Sequence, residues 1–261
     1  NMRLLKAKAD GGFSLTTFPI NPPRYAILSH TWEADDQEVK LNDIENRKGT
    51  HKTGYKKIEF CARQAQHDNI EYFWVDSCCI DQSSSAELST AINSMYRWYQ
   101  NSAKCYIYMA DVSANSSSEW ESCFLGSRWF TRGWTLQELI APRSTEFFSE
   151  EGMYLGNKEQ LEDLIQEATG ISNQVLQGYP PAQTSIEERL SWIANRNTKF
   201  GEDIVYSVLG FFGIHMLPMY GERAVHAFRR LGQEIEKTIT ITQPRRSTYR
   251  NLKVPKADTL G

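Results

Sequence analysis

Long apolar runs are missing from this sequence of 261 residues: nothing approaches the roughly 20 consecutive apolar residues of a membrane-spanning helix, so no span is expected. An excess of positive charge is missing too. With 29 Lys and Arg against 32 Asp and Glu, the net charge of -3 gives no general attraction to nucleic acid or anionic lipid. Any phosphate-bearing ligand must be met by local groups. There is no P-loop, no GxGxxG after a strand, no HExxH and no paired CxxC, which removes the best sequence support for kinase-like, Rossmann and common zinc chemistry. No metal is expected. Cysteine is scarce and odd in number: Cys61, Cys78, Cys79, Cys105 and Cys123 are irregularly spaced, and no signal peptide is expected. They are expected to be reduced thiols in a cytoplasmic protein. Asn1, ahead of Met2, is expected to be an addition and has no part in the fold reasoning.

What is present is ample core material, with 40% hydrophobic and 12% aromatic residues, seven of them tryptophan. The first clear strand is Tyr25 to Leu28, introduced by Pro22-Pro23 and ending in polar Ser29-His30. From 52 to 68, Tyr55, Ile58, Ala62 and Ala65 recur at helical spacing. A second strand over 71–75 ends in Asp76, and the helix of ELSTAINSMYRWYQ (87–100) comes next, with Ser83, Ser84 and Ser85 as candidate N-caps. KCYIYMADV predicts a third strand and TEFFS (145–149) a fourth, separated by a polar loop over 113–122 and the segment SRWFTRGWTLQELIAP (127–142). Strands alternating with helices predict an α/β fold: a mostly parallel sheet flanked by helices.

From Lys158 onward the pattern is helical only, over 158–169, 185–196, 202–212 and 221–238. The expected organisation is a core over 2–157, a C-terminal helical extension packed on it over 158–240, and a basic tail or linker over 241–261.

In parallel sheets ligands gather at the carboxyl ends of the strands, which places Ser29, His30, Trp32, Asp76, Cys78, Cys79 and Asp81 near one edge. Cys78 or Cys79 with His30 as base and Asp76 as orienting group is one arrangement for a nucleophile; small thiols filling a buried strand end is the other. A zinc site from the same residues is disfavoured by adjacent ligands. Glu138 is the sharper candidate. On a helix starting near Arg132 or Gly133, Trp134 and Glu138 stand four residues apart on one side. Such a pair can stack a flat cationic ring on the indole while the carboxylate supports positive charge developing at an adjacent sugar carbon. A solvated glutamate, or one paired with Arg132 or Arg128, fits the same pattern.

YAILSHTW, FWVDSCCID, ELSTAINSMYRWY and SRWFTRGWTLQELIAP, spanning 24 to 148, resemble the fungal HET (heterokaryon incompatibility) domain, and NRNTKFGEDIVYSVLGFFGI with YGERAVHAFRRL resemble the region downstream of it in the same family. HET domains are in turn remotely similar to TIR domains. YAILSH resembles the first TIR strand, YFWVD with ELSTAINSM the second strand and its helix, and KCYIYM the third strand. SRWFTRGWTLQEL resembles the stretch that carries the catalytic glutamate of NAD-cleaving TIR domains, which falls on Glu138.

The resemblance implies a TIR-like core and a cell-death effector of fungal non-self recognition that cleaves NAD at the nicotinamide-ribose bond when self-associated. NAD is then substrate rather than cofactor, and the upstream partner is a receptor of the nucleotide-binding oligomerisation (NLR) type, in the same polypeptide or separate. Glu138 is the catalytic group, with Ser29, His30, Trp32, Asp76, Arg132 and Trp134 as substrate-binding residues. A non-catalytic death-signalling interaction module is the competing expectation.

Overall fold

The computed structural model describes residues 1–115 and 120–242. The basic tail expected over 241–261 lies outside the described residues from 243 onward, as do positions 116–119 of the polar loop. Seven strands form one sheet: β1 (Met2–Ala7), β2 (Phe13–Phe18), β3 (Tyr25–His30), β4 (Tyr72–Trp74), β5 (Lys104–Tyr108), β6 (Thr145–Phe148) and β7 (Tyr154–Asn157). Their order is β2-β1-β4-β3-β5-β6-β7. The four central strands are parallel, whereas β1 is antiparallel to β2 and to β4, and β7 to β6. The fold is therefore mixed α/β, with a parallel centre between antiparallel edges.

The early helices are α1 (Leu41–Glu45), α2 (Tyr55–His67), α3 (Asp76–Cys79), α4 (Ser85–Asn101), α5 (Trp120–Leu125) and α6 (Thr135–Ile140). The later ones are α7 (Glu162–Thr169), α8 (Asn173–Leu176), α9 (Ile186–Ser191), α10 (Asp203–Tyr206), α11 (Leu209–Phe212) and α12 (Ala224–Thr242). Alternation along β5 and β6 sorts the two faces of the sheet. Tyr108 and Phe148 meet Phe60 of α2, and the Tyr106 hydroxyl donates to Asp68 at the end of α2 (2.6 Å). On the other face Phe147 packs on Trp129, and the Cys105 thiol donates to the Glu138 carbonyl of α6. Ser84 caps α4, its hydroxyl accepting from the Glu87 amide (3.3 Å).

Several element bounds differ from the sequence expectation for identifiable reasons. β3 runs on through Ser29 and His30 because β5 continues beside it, pairing Ser29 with Ile107 and His30 with Tyr108. The hairpin β1–β2 has no counterpart in the sequence expectation: β2 is half-polar, with Thr16 and Thr17 exposed, so its alternation is faint. The helix expected from 158 starts at Glu162, because Lys158 is buried and its ammonium donates to the Leu139 and Pro142 carbonyls (both 2.9 Å) at the end of α6. The helix expected over 185–196 stops at Ser191, and that over 202–212 divides into α10 and α11. Apolar residues of the extension, among them Trp192, Val205 and Leu209, share one core cluster with the sheet.

Candidate functional site

The order of the parallel strands sets the place. β3 has β4 on one side and β5 on the other, so the crossovers leave β3 in opposite directions, and its carboxyl end is the switch point at which open α/β sheets take their ligands. Ser29 and His30 stand there, both buried. The Ser29 hydroxyl donates to Glu138 Oε2 (2.5 Å) and accepts from the Trp129 indole N–H (2.9 Å). Ser127 caps a 3-10 turn at Arg128–Thr131, and α6 then opens at Thr135, which puts Glu138 in its first turn. Glu138 is only 4% exposed, and Arg128 pairs with Asp111 instead. The carboxyl group is thus neither solvated nor held by Arg128.

Burial drives the Glu138 carboxyl upward, the negative charge of Asp76 adds to this, and together they push it to about 8 despite relief from Ser29, Arg132 and the Tyr99 hydroxyl. At neutral pH it holds its proton. Asp76 opens α3 directly after β4, where its Oδ1 accepts from the Ser77 amide (2.7 Å) and its Oδ2 from the Trp32 indole (2.7 Å). It therefore holds the Ser77 amide at the start of α3 and anchors Trp32.

Behind Asp76 lies a buried charge network. His30 Nε2 stands 3.5 Å from Asp76 Oδ1 and 3.7 Å from Glu38 Oε1. Glu38 Oε2 accepts from Lys57 Nζ (2.6 Å) and from the Glu33 amide (2.7 Å), and Lys57 also donates to the Thr31 carbonyl (3.1 Å). Burial favours a neutral Glu38, but His30 and Lys57 outweigh it and hold the carboxyl at about 2. On the opposite flank Trp134, half-buried, and the Tyr220 hydroxyl (3.0 Å) attend Asp203, which burial raises to about 6. The Arg132 charge acts on both Glu138 and Asp203.

The structure thus joins Ser29 to Glu138 directly, links His30, Trp32 and Asp76 into one cluster, and sets Arg132 within electrostatic reach of Glu138. Trp134 turns toward Asp203. Sequence reasoning misses Trp129, Tyr99, Glu38, Lys57, Asp203 and Arg196. Trp129 has a signal, since it stands in the same motif as Glu138; Glu38 lies in an acidic loop that carries no motif. Cys78 and Cys79 are core thiols: burial raises Cys79 to about 12 and Cys78 well above the ordinary range, which removes the low-pKa nucleophile. A cavity of about 920 Å³ lies at the far end of α6, lined by Tyr96, Ile140, Arg143, Lys158 and Phe212, and the Ser29–Glu138 pair is not part of its wall. No helix among the described residues is long and apolar enough to cross a membrane.

Residues 25–122 match the family model described as heterokaryon incompatibility protein (HET). Vegetative incompatibility protein HET-E-1 of Podospora anserina is 46% identical over 239 residues, a match taking in 87% of this chain. The chain spans only 18% of that relative's length. No solved structure matches the chain significantly.

Proposed function

This chain belongs to the heterokaryon incompatibility (HET) family, and from that premise we propose that it is a cell-death effector of fungal non-self recognition that cleaves NAD when self-associated. The observation that carries the proposal is the buried Glu138 carboxyl, bonded to Ser29 at the carboxyl end of a central parallel strand and perturbed to about 8 by burial and Asp76. A strongly perturbed carboxyl at such a switch point has features by which functional sites are recognised. The resemblance to TIR domains points to the same residue.

Cleavage of the bond between nicotinamide and ribose passes through an oxocarbenium-like state. Nicotinamide leaves with the bonding electron pair and becomes neutral, water adds to the sugar carbon, and one proton is released. No strong acid or metal is needed for so good a leaving group. Glu138, once ionised, supports the developing positive charge or holds the ribose hydroxyls. Ser29 orients it, Trp32 or Trp134 offers a stacking face, and Arg132 meets the pyrophosphate. His30 and Asp76 supply polar groups beside the switch point.

The described conformation keeps Glu138 neutral and covered, which suits an enzyme silent until assembled. Self-association that admits substrate and water would lower the carboxyl toward its ordinary value and complete the site. The activating partner is then a nucleotide-binding oligomerisation receptor, in cis or in trans, acting in the cytoplasm.

The same burial favours one competing proposal. A carboxyl 4% exposed and held by a serine can be purely structural, with the exposed Phe200, Leu217, Met219 and Tyr220 forming a contact surface for death signalling. Expression in fungal cells separates the two. Loss of killing with loss of NAD depletion in a folded Glu138→Gln protein supports catalysis; killing at the parental level refutes it.

A further inference from the structure

We infer that Arg196, from the helical extension, is a positioning residue for Glu138: it fastens the turn that opens α6 and supplies a buried positive charge to the carboxyl. The inference rests on the role proposed for Glu138, and it makes the extension part of the site rather than an appendage.

Arg196 is buried where the chain leaves α9, and one side of its guanidinium, Nε and Nη1, is hydrogen-bonded. Nε donates to the Trp192 carbonyl (3.1 Å), and Nη1 donates to the Arg132 carbonyl (2.8 Å) and to Thr135 Oγ1 (3.0 Å). Thr135 in turn donates to the Trp129 carbonyl (2.6 Å), the Trp129 indole donates to Ser29, and Ser29 donates to Glu138. A chain of hydrogen bonds therefore runs from Arg196 around the first turn of α6 and back to the carboxyl that this turn presents.

Two further fasteners act at the same point. The Asn197 amide donates to the Thr131 carbonyl (2.6 Å) and the Gly133 amide to the Asn197 carbonyl (2.9 Å), an isolated parallel bridge between Arg132 and Asn197. At Gly133 a Cβ would come within 2.4 Å of Thr198 Cγ2, so the two segments touch where only glycine leaves room.

The free end of the fork gives the electrostatic part. Arg196 Nη2 is buried with no hydrogen-bond partner among the described residues. An orphaned donor on a buried cation is costly unless a negative group comes within reach. Glu138 acts on the Arg196 charge, and Arg196, although lowered to about 10 by burial, stays charged at neutral pH. The other groups that act on Glu138 are Ser29 on β3, Asp76 on α3, Tyr99 on α4 and Arg132 ahead of α6; the Cys105 thiol on β5 also feels it. Among these Asp76 opposes ionisation and Arg132 favours it. When the site opens and Glu138 gives up its proton, the Arg196 charge joins that of Arg132 in favouring the carboxylate.

The test uses the full chain with Arg196→Met and Arg196→Lys. Glu138 ionisation is followed by NMR of carboxyl-labelled glutamate, its signal assigned by loss in Glu138→Gln, beside nicotinamide release by clustered protein. In Arg196→Met the midpoint is expected to rise, as for loss of an opposite charge that acts on the carboxyl. Arg196→Lys, which keeps the charge but not the fork, is expected to hold the parental midpoint and to lower kcat several-fold with KM little changed. A folded Arg196→Met with the parental midpoint overturns the inference. Should that variant fail to fold, parental kcat in Arg196→Lys overturns it instead. Absence of nicotinamide release by the parent would sink the NAD proposal alone, since the ionisation midpoints would still decide the role of Arg196.

Discussion

Replacing Glu138 by glutamine should stabilise the protein, and by an amount that depends on pH. The carboxyl ionises near 4.5 in an unfolded chain and at about 8 in the folded protein, because burial and Asp76 disfavour its charge. A folded value above the unfolded one means that its contribution is most favourable below pH 4.5 and is lost as pH rises to about 8. At pH 7 the interval from 4.5, taken at about 1.4 kcal/mol for each pH unit, is worth about 3 kcal/mol. Glutamine has nearly the same shape, keeps a carbonyl for the Ser29 hydroxyl and never ionises, so it escapes this loss. Urea unfolding of both proteins from pH 5 to pH 10 measures the effect. The gap in favour of Glu138→Gln should be small at pH 5, reach about 3 kcal/mol at pH 7 and level off above pH 8. A gap that does not change with pH, or a variant less stable throughout, would refute the account of this carboxyl as a strained buried acid.

The charge network behind the site should behave in the opposite sense. Glu38 is held at about 2, below its ordinary 4.5, so its stabilisation is complete above pH 4.5 and is lost as pH falls toward 2; acid titration of stability should lose that component in Glu38→Gln. Lys57→Met leaves Glu38 buried without its 2.6 Å partner and should cost about 3 to 5 kcal/mol, and adding Glu38→Gln should recover much of this in a double-mutant cycle. Gly133→Ala drives a methyl into Thr198, and thermal unfolding should report a loss of about 1 to 3 kcal/mol.

The parts of the fold legible in the sequence are those where local pattern and tertiary role agree. Buried runs such as YAILSH and KCYIY read as strands, and the stripe of α4 reads as a helix with Ser84 ahead of it. β2 and β7 are illegible because edge strands expose one side: Thr16 and Thr17 face solvent, and Gly156 interrupts β7. Site residues behave likewise. The end of β3 brings out Ser29 and His30 and the end of β4 brings out Asp76, whereas Glu138 stands out through resemblance. Its partner Ser29 lies 109 positions away, and Arg196 lies 64 from Arg132. Periodicity assigns a face to a residue, and only the strand order decides which distant face meets it. Lys57 shows the limit, since a lysine on a helix is expected at the surface, yet it is buried against Glu38.

The most direct measurement of the central claim is nicotinamide released from NAD by the purified chain, clustered to high local concentration, beside a folded Glu138→Gln protein under the same conditions. Release by the parent that falls to background in the variant is the predicted result. Equal release by the two, or none from the clustered parent, would contradict it.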